Sequence, residues 1–399
     1  MLKALLGLGL FGLLTSSVFT GLVIAGAIRF IRRKRHRAES QTFQQPVSLL
    51  KPLHGAEPNL DIHLESFFLQ DYPSYEILFC ARSATDTGLA IARQVASRYP
   101  QIPVQFLIAE EPVYINAKVS SLERMAAAAR HDLFIISDSD VRVTPDYIRS
   151  VVAPFADANV GAVTCLYRGV ADKGTIWSKL EAAGMSIEMT SGVLVADMME
   201  GMQFTLGPTM AVRRPCVDEI GGFRILGPYC ADDFVLGNQI AAHGHTVVLS
   251  THVIDHVILN LSFTASQKHQ IRWMKSTRFS RPKGHFGTAL TFSVPFGLLS
   301  FVAALALHHP FLASALLLYS LVIRMLLAAI VGASVVEERH LLRTILLYPL
   351  RDFLGFCYWM ASYGSNKILW RGEVYRLMPG GLMHAIAEER RGGSAVSAI

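Results

Sequence analysis

The sequence LFIISDSD at residues 133–140 joins a short apolar run to two carboxylates. Leu133–Ser137 has the length and composition of a buried strand, and Asp138 and Asp140 follow it directly. Other β-rich runs alternate with helical stretches before it, which predicts right-handed crossovers and a mostly parallel sheet with flanking helices. Ligands bind beyond the carboxyl ends of such strands, so the two carboxylates lie at a predicted binding edge.

The predicted strands are 47–50, 76–80, Val104–Ile108 and Leu133–Ser137, and the predicted helices lie near 60–69, 87–98, 117–130 and from Pro145 onward. A further helical stretch at 175–199 has few charges, so it could pack on the sheet or lie along a membrane surface.

Apolar residues are concentrated at the two ends of the chain. Hydrophobic residues make up 51% of the sequence and charged residues 17%, with the apolar excess at 4–28 and from about residue 286 onward. About 20 apolar residues cross a bilayer, so we expect an N-terminal span and further spans at 287–307 and 311–336. The segment 341–364 carries Arg343, Arg351 and Asp352, and a span, a re-entrant segment and an interfacial helix all remain open for it.

The net charge of +6 comes partly from two basic clusters, at 29–37 and 275–283, which both adjoin predicted spans. Basic residues beside a span mark the cytoplasmic face, and no other feature supports a nucleic-acid partner. The five cysteines form no CxxC pair, which fits a reducing compartment. We therefore expect a multi-pass integral membrane protein of a bacterial inner membrane, with its catalytic domain in the cytosol.

The predicted domain order follows from these patterns. It comprises an anchor at 1–30, a basic linker at 31–45, a catalytic domain at 46–262, an amphipathic interface helix at 263–284, a C-terminal membrane region at 285–370 and a tail at 371–399.

Asp138 and Asp140 are candidate metal ligands. Carboxylates at positions i and i+2 can address one Mg²⁺ or Mn²⁺ ion, which commonly bridges a diphosphate to protein. A departing diphosphate needs that charge compensation, although an Asp-rich turn is the alternative interpretation.

Two adjacent acids, Asp232 and Asp233, precede a helical run and could either favour its N-terminus or deprotonate an acceptor hydroxyl. Farther along the chain, Arg272 could clamp a diphosphate, and Trp273 could contact an apolar acceptor or anchor the chain at the interface.

Two weaker candidates lie in the predicted catalytic domain. Lys118 stands at a predicted helix start, where it could meet phosphate charge. Asp86 follows a predicted strand, where it could accept hydrogen bonds from a uracil or a ribose.

In order along the chain, several stretches resemble the ceramide glucosyltransferase family and its bacterial relatives, within the inverting GT-A transferases. They are VSLLKPLHGAEPNL (47–60), QDYPSYEILFC (70–80), INAKVSSL (115–122), ISDSDVRVTPDYI (136–148), CADDFVLG (230–237), IRWMKSTR (271–278) and SNKILWRGEVYRL (365–377).

The resemblance implies a GT-A fold and assigns roles to individual residues. It implies nucleotide contact for Asp86, metal–diphosphate contact for Asp138 and Asp140, and the base role for Asp233. It also implies positioning of donor or acceptor by Arg272 and Trp273, and we group Lys118 with the donor-binding residues and Asp232 with the acceptor-binding ones. The family signature usually has Gln or Arg three residues before its arginine, where this chain has His269 beside Gln270, and we expect both to bind the donor.

The expected reaction is transfer of a hexose from a UDP-sugar to a membrane-lipid hydroxyl, in the first instance from UDP-glucose to ceramide. The stretch VTCLYRG (163–169) is similar to the hopanoid-biosynthesis glycosyltransferases, which makes UDP-N-acetylglucosamine and a hopanoid polyol the alternative pair. A processive polysaccharide synthase normally needs a larger helical channel than three or four spans. A non-catalytic lipid-binding or transporter-like protein has no need of carboxylates at strand ends. The oligomeric state stays open.

Overall fold

A computed structural model describes residues 1–37, 43–171, 174–370 and 373–386. The helices are α1 Leu2–Arg37, α2 Leu60–Glu65, α3 Thr87–Ala96, α4 Ala117–Ala128, α5 Tyr147–Val152, α6 Ile176–Ala183, α7 Thr190–Met199, α8 Arg214–Glu219, α9 Asp232–Ala242, α10 Phe263–Ser280, α11 Pro282–Thr288, α12 Val294–Ala306, α13 Pro310–Ser334 and α14 Leu341–Ala361. The strands are β1 Val47–Pro52, β2 Tyr75–Ala81, β3 Val104–Ile108, β4 Leu133–Ser137, β5 Val141–Arg142, β6 Val160–Val170, β7 Thr209–Arg213, β8 Thr246–Val257, β9 Lys367–Trp370, β10 Glu373–Leu377 and β11 Met383–Ala385.

The central sheet has the strand order β3-β2-β1-β4-β7-β6-β8-β5. Strands β3, β2, β1 and β4 are parallel to one another, as are β6 and β8. Strand β7 is antiparallel to both β4 and β6, and β5 is antiparallel to β8. The predicted α/β fold is therefore confirmed, and its parallel character is strongest in the first half of the sheet, where helical crossovers connect the strands.

The stretch predicted as one helix at 175–199 contains a π-helical turn, Gly184–Met189, between α6 and α7. The Ser186 hydroxyl accepts a hydrogen bond from the Gly169 amide of β6 at 3.0 Å. On the other side, a Cβ on Gly26 of α1 would lie 3.0 Å from the Leu194 carbonyl oxygen of α7. The stretch thus packs between the sheet and the N-terminal helix.

The membrane region differs in part from the sequence prediction. Among the described residues, Leu2–Arg35 and Pro310–Ser334 are long and apolar enough to cross a membrane. The span predicted at 287–307 is not one continuous helix, because Pro282–Thr291 and Val294–Ala306 meet at a bend of 50°, which makes this segment either a broken span or a re-entrant loop. With 13 residues, α12 has a length of about 20 Å, which is less than a bilayer core of about 30 Å.

Helix α14 covers the segment whose membrane status the sequence left open. Arg351 and Asp352 are buried there, and each has an oppositely charged partner, Glu188 at 2.9 Å and Arg324 at 3.6 Å. These two charges of α14 therefore face protein, which is the arrangement that charges at membrane depth require.

Part of the predicted C-terminal tail forms strands. Strands β9, β10 and β11 form a small antiparallel sheet, and the Cys230 amide donates to the Gly381 carbonyl at 3.2 Å. This contact joins the small sheet to the catalytic domain beside α9, so the assignment of all of 371–399 to a tail is corrected for 373–386. Within the predicted linker at 31–45, residues up to Arg37 continue α1. The tail assignment for 371–372 and 387–399 lies outside the described residues.

Candidate active site

A cavity of about 1350 Å³ lies beyond the carboxyl ends of β1 and β4. Its lining includes the predicted site residues Lys118, Asp138, Asp140, Asp232, Asp233, His269, Gln270, Arg272 and Trp273. Residues from α7, α13 and α14 line it as well, so one cavity reaches both the carboxylates and the membrane region.

Lys118 connects the Asp138–Asp140 pair with the Asp232–Asp233 pair. Its Nζ lies 2.8 Å from Asp138 Oδ1 and 3.5 Å from Asp232 Oδ2. Asn116 caps α4 by accepting from the Lys118 amide at 3.1 Å, and its Nδ2 donates to Asp232 Oδ1 at 3.2 Å. Burial disfavours the charge on Lys118, but the carboxylates of Asp138 and Asp232 outweigh it and raise the pKa of Lys118. The helix starts of α4 and α9 are thereby held against the end of β4.

Asp233 lies in the first turn of α9. Its Oδ2 accepts from the Gly207 amide at 2.7 Å, and a Cβ on Gly207 would lie 3.2 Å from that oxygen and 3.8 Å from Asp138 Oδ2. The carboxylates of Asp138 and Asp233 thus both lie close to the backbone at Gly207. Burial, and then the charge of Asp232, raise the pKa of Asp233 to about 6, which suits a general base that works near neutral pH.

Asp140 is paired with a histidine that sequence reasoning did not single out. Its Oδ2 lies 3.0 Å from His256 Nε2 at the end of β8. Burial disfavours the charge on Asp140, yet the adjacent His256 and then Lys51 hold the pKa of Asp140 below its usual value. His256 is separated from Asp140 by 116 residues in the sequence. The sequence signal for His256 was the polar end of the strand TVVLSTHVIDHV.

Lys51 and Glu57 are two more residues that the sequence analysis missed. Lys51 Nζ donates to the Asp138 carbonyl oxygen at 2.5 Å and lies 3.8 Å from the centre of the Phe67 ring. Burial lowers the pKa of Lys51 to about 7, and burial raises the pKa of Glu57. The signal for Lys51 was a cation at the end of the apolar strand VSLLKP, where a buried charge requires a partner.

The residues around Asp140 fit a Mg²⁺ or Mn²⁺ ion that arrives with a diphosphate. Among the described residues, Asp140 Oδ1 and Glu57 Oε2 are buried without a hydrogen-bond partner, and no group of three His, Cys, Asp or Glu side chains could hold a metal. Mg²⁺ usually takes only one or two carboxylates and completes its shell with water and phosphate oxygens. The free carboxylate oxygens suit that role better than that of a closed protein cage.

Helix α10 brings the later motif to the cavity. His269 Nδ1 lies 2.6 Å from Glu181 Oε1, and the His269 and Trp273 ring centres are 4.6 Å apart. Arg272 also lines the cavity. Gln270 is buried, and its Oε1 accepts from Arg351 of α14 at 2.9 Å, so its contacts are with the membrane region.

Asp86 occupies a different position from the other candidates. Its carboxylate caps α3 by accepting from the Gly88 amide at 2.8 Å and the Leu89 amide at 3.2 Å. It also accepts from the Gly55 amide at 2.9 Å, and it is not among the described residues that line the cavity. In the structure Asp86 therefore holds the loop after β1 in place, and its direct contact with a nucleotide stays a prediction.

The sequence matches a known family over most of the chain. The model of glycosyl transferase family 21 matches residues 13–383. The chain belongs to glycosyl transferase family 21. Membership confirms the predicted resemblance, and the match includes most of the N-terminal helix, the catalytic domain and the C-terminal helices.

Individual relatives agree with this assignment. The chain is similar to ceramide glucosyltransferase 1 of Caenorhabditis elegans, with 29% identity over 61% of this chain and 52% of that protein. It is similar to ceramide glucosyltransferase 3 of the same organism, with 22% identity over 88% of this chain and 76% of that protein. The chain thus spans about half the length of the first of these relatives.

Among solved structures, the chain is similar to a mannosyltransferase of Pyrobaculum calidifontis in complex with GDP-Man and Mn²⁺. The TM-score is 0.45 and the identity 17%, over 87% of this chain and 99% of that one.

Proposed function

We propose that this protein transfers a hexose from a UDP-sugar to a hydroxyl of a membrane lipid in a single inverting displacement. The observation that carries the proposal is the continuous cavity that joins Asp138, Asp140 and Asp233 to side chains of the membrane helices. A soluble acceptor has no need of that connection, whereas a lipid must reach the carboxylates from the bilayer. Family membership and the names of the relatives support the same reaction class.

The donor binds by its diphosphate at the end of β4. Lys118, held by Asp138 and Asp232, supplies a fixed positive charge there, and Arg272, which lines the same cavity, would add a guanidinium. Asp138 and Asp140 would hold the Mg²⁺ or Mn²⁺ ion, which neutralises the charge that develops on the leaving diphosphate.

Asp233 acts on the acceptor. Its carboxylate takes the proton of the lipid hydroxyl as the hydroxyl oxygen attacks the anomeric carbon, and the bond to the diphosphate breaks on the opposite face of the sugar. One displacement inverts the anomeric configuration and needs no second carboxylate nucleophile. Asp232, hydrogen-bonded to Asn116, raises the pKa of Asp233 and keeps the pair oriented.

We propose UDP-glucose and ceramide as the first substrate pair, in line with the relatives' names, and UDP-N-acetylglucosamine with a hopanoid polyol as the alternative. The test incubates purified protein in nanodiscs with each labelled donor and each lipid, and identifies the lipid product by mass spectrometry. We expect one glycosylated lipid that carries a single hexose or N-acetylhexosamine. Formation of a polymer, or consumption of donor without any glycolipid, would contradict the proposal.

A further inference from the structure

The cavity continues beyond the carboxylates to a second group of polar side chains. Gln270 of α10, Glu188 of the π-helical turn and Arg351 of α14 all line it. Arg351 Nη2 donates to Gln270 Oε1 at 2.9 Å and lies 2.9 Å from Glu188 Oε2. Gln270 is 5% exposed and Arg351 4% exposed, so this is a buried and built cluster.

Gln270 keeps hydrogen-bonding capacity that the protein does not use. Its Oε1 is taken by Arg351, but within the described part of the chain its Nε2 has no hydrogen-bond partner. Folded proteins leave few buried donors unpaired, because such a group loses its hydrogen bonds to water without compensation. An unpaired amide donor on a cavity wall indicates that a ligand oxygen completes the bond.

The charges of the cluster cancel. Glu188 pairs with Arg351, and the next pair inward is Asp352 with Arg324, whose Nη1 lies 3.6 Å from Asp352 Oδ1. Phosphate groups are recognised by an excess of Arg or Lys. The balanced cluster fits a neutral group with an oxygen acceptor, such as a hydroxyl or an amide, better than a phosphate.

The wall near this cluster is apolar. Met185, Met189, Val193 and Phe292 line the same cavity. Methionine side chains adapt to flexible apolar ligands, so this wall suits the hydrocarbon part of a lipid. A lipid whose reacting hydroxyl lies at Asp233 can therefore present a second polar group to Gln270.

We propose that Gln270, supported by Arg351 and Glu188, is a specificity-determining subsite that binds a second, neutral hydroxyl or amide group of the lipid acceptor. The inference rests on the proposed function and adds to it a residue that separates polar-headed acceptors from lipids with a single hydroxyl. It also moves Gln270 from the donor side, where the sequence motif suggested it, to the acceptor side.

The test compares acceptors that differ in this second group. Ceramide and a hopanoid polyol provide it, and a branched two-chain alcohol carries only the reacting hydroxyl. For the wild type, the better polar acceptor should exceed the alcohol in kcat/KM by about tenfold or more. Gln270→Met keeps the side-chain shape but removes the amide, and it should lower this ratio about tenfold through the acceptor KM. If the alcohol is not turned over, it is measured as a competitive inhibitor, and its inhibition constant is compared with the KM of the polar acceptor to give the ratio.

Two further variants separate binding from folding. Gln267→Met makes the same change one turn earlier on α10, where Gln267 Nε2 donates to Tyr358 Oη at 2.7 Å, and it should leave the ratio unchanged. Gln270→Glu keeps an oxygen for Arg351 but loses the amide donor, and it should lower the ratio like Gln270→Met.

The outcomes distinguish this inference from the proposed function. An equal loss on all acceptors in Gln270→Met, or a raised UDP-glucose KM, would mean that Gln270 is structural or binds the donor. Transfer to a lipid with an unchanged ratio in both Gln270 variants would overturn only the subsite. Failure of the wild type to glycosylate any of the lipids would contradict the proposed function, and the subsite with it.

Discussion

At the scale of single residues, Asp233 is the group on which the proposed chemistry depends. Its pKa is raised to about 6 by burial and by Asp232, and only its ionised form can accept a proton. We therefore expect kcat/KM to fall as the pH drops below about 6 and to level off above it. Asp233→Asn should lower kcat by about 10²-fold or more, because positioned bases contribute that much.

The pH profile of transfer, together with UDP-glucose affinity from calorimetry, checks this prediction. Donor affinity should be largely kept in Asp233→Asn, since the amide retains the shape of the carboxylate and its oxygen can still accept from Gly207. Transfer at the wild-type rate by this variant would remove Asp233 from the base role.

Asp138 and Asp140 form the second group at this scale. Each has an oxygen directed away from its protein partner, since Lys118 takes Asp138 Oδ1 and His256 takes Asp140 Oδ2. We expect Mn²⁺ to raise the affinity of the wild type for UDP, and Asp138→Ala and Asp140→Ala to lose most of that gain. Calorimetric titration of UDP with Mn²⁺ or with EDTA measures it, with Asp146→Ala as a control on the exposed loop after β5. Equal UDP affinity with and without metal in the wild type would count against a metal at these residues.

At the scale of elements, the π-helical turn Gly184–Met189 determines how α14 approaches the catalytic domain. A Cβ on Gly184 would lie 2.1 Å from Arg351 Nε, so only glycine leaves room for this guanidinium. We expect Gly184→Ala to destabilise the protein by about 1–3 kcal/mol, because overpacking displaces buried side chains. The midpoint of thermal unfolding in detergent measures the effect.

Gly192 provides the matched control, since it lies in the next helix and a Cβ there meets nothing within 4 Å. Gly192→Ala should be neutral or slightly stabilising, because alanine has the higher helix propensity. Equal midpoints of thermal unfolding for Gly184→Ala and Gly192→Ala would show that Arg351 does not need its close approach to the backbone at Gly184.

Elements also show what local sequence pattern can predict. Strands β3 and β4 were placed with their observed bounds, because both are short runs rich in apolar residues; β4 is buried on both faces, whereas β3 lies at the sheet edge and is partly buried. The break between α11 and α12 was missed, since the apolar composition continues through it and only the backbone at Thr291–Ser293 changes direction. Lys51, His256 and the partner of Gln270 were missed for a related reason, because their contacts join elements that are far apart in the sequence.

At the scale of the whole molecule, the ends of the membrane helices can be assigned to two sides. Lys34 Nζ lies 2.5 Å from Glu337 Oε1, and Arg33 pairs with Asp197 of α7, so this end faces the catalytic domain. At the other end, Gly9 of α1 lies close to Ser300 of α12. Helix α12 then continues to the turn at 307–309. Basic residues mark the cytoplasmic side, so His308 should lie on the outer side.

Cysteine labelling in intact cells tests this topology. A cysteine in place of His308 should react with a membrane-impermeant maleimide, and one in place of Glu337 should react only after the cells are permeabilised. The parent protein gives the background, since four of its five cysteines are buried. The reverse labelling pattern would place the catalytic domain on the outer side.

The proposed reaction is a single displacement that inverts the anomeric configuration of the donor sugar, with Asp233 as the base. The anomeric configuration of the product tests this most directly, measured by NMR on the glycolipid formed from an α-linked UDP-sugar. We expect a β-linked sugar on the lipid hydroxyl. An α-linked product, which requires two displacements and a second nucleophile, would contradict it.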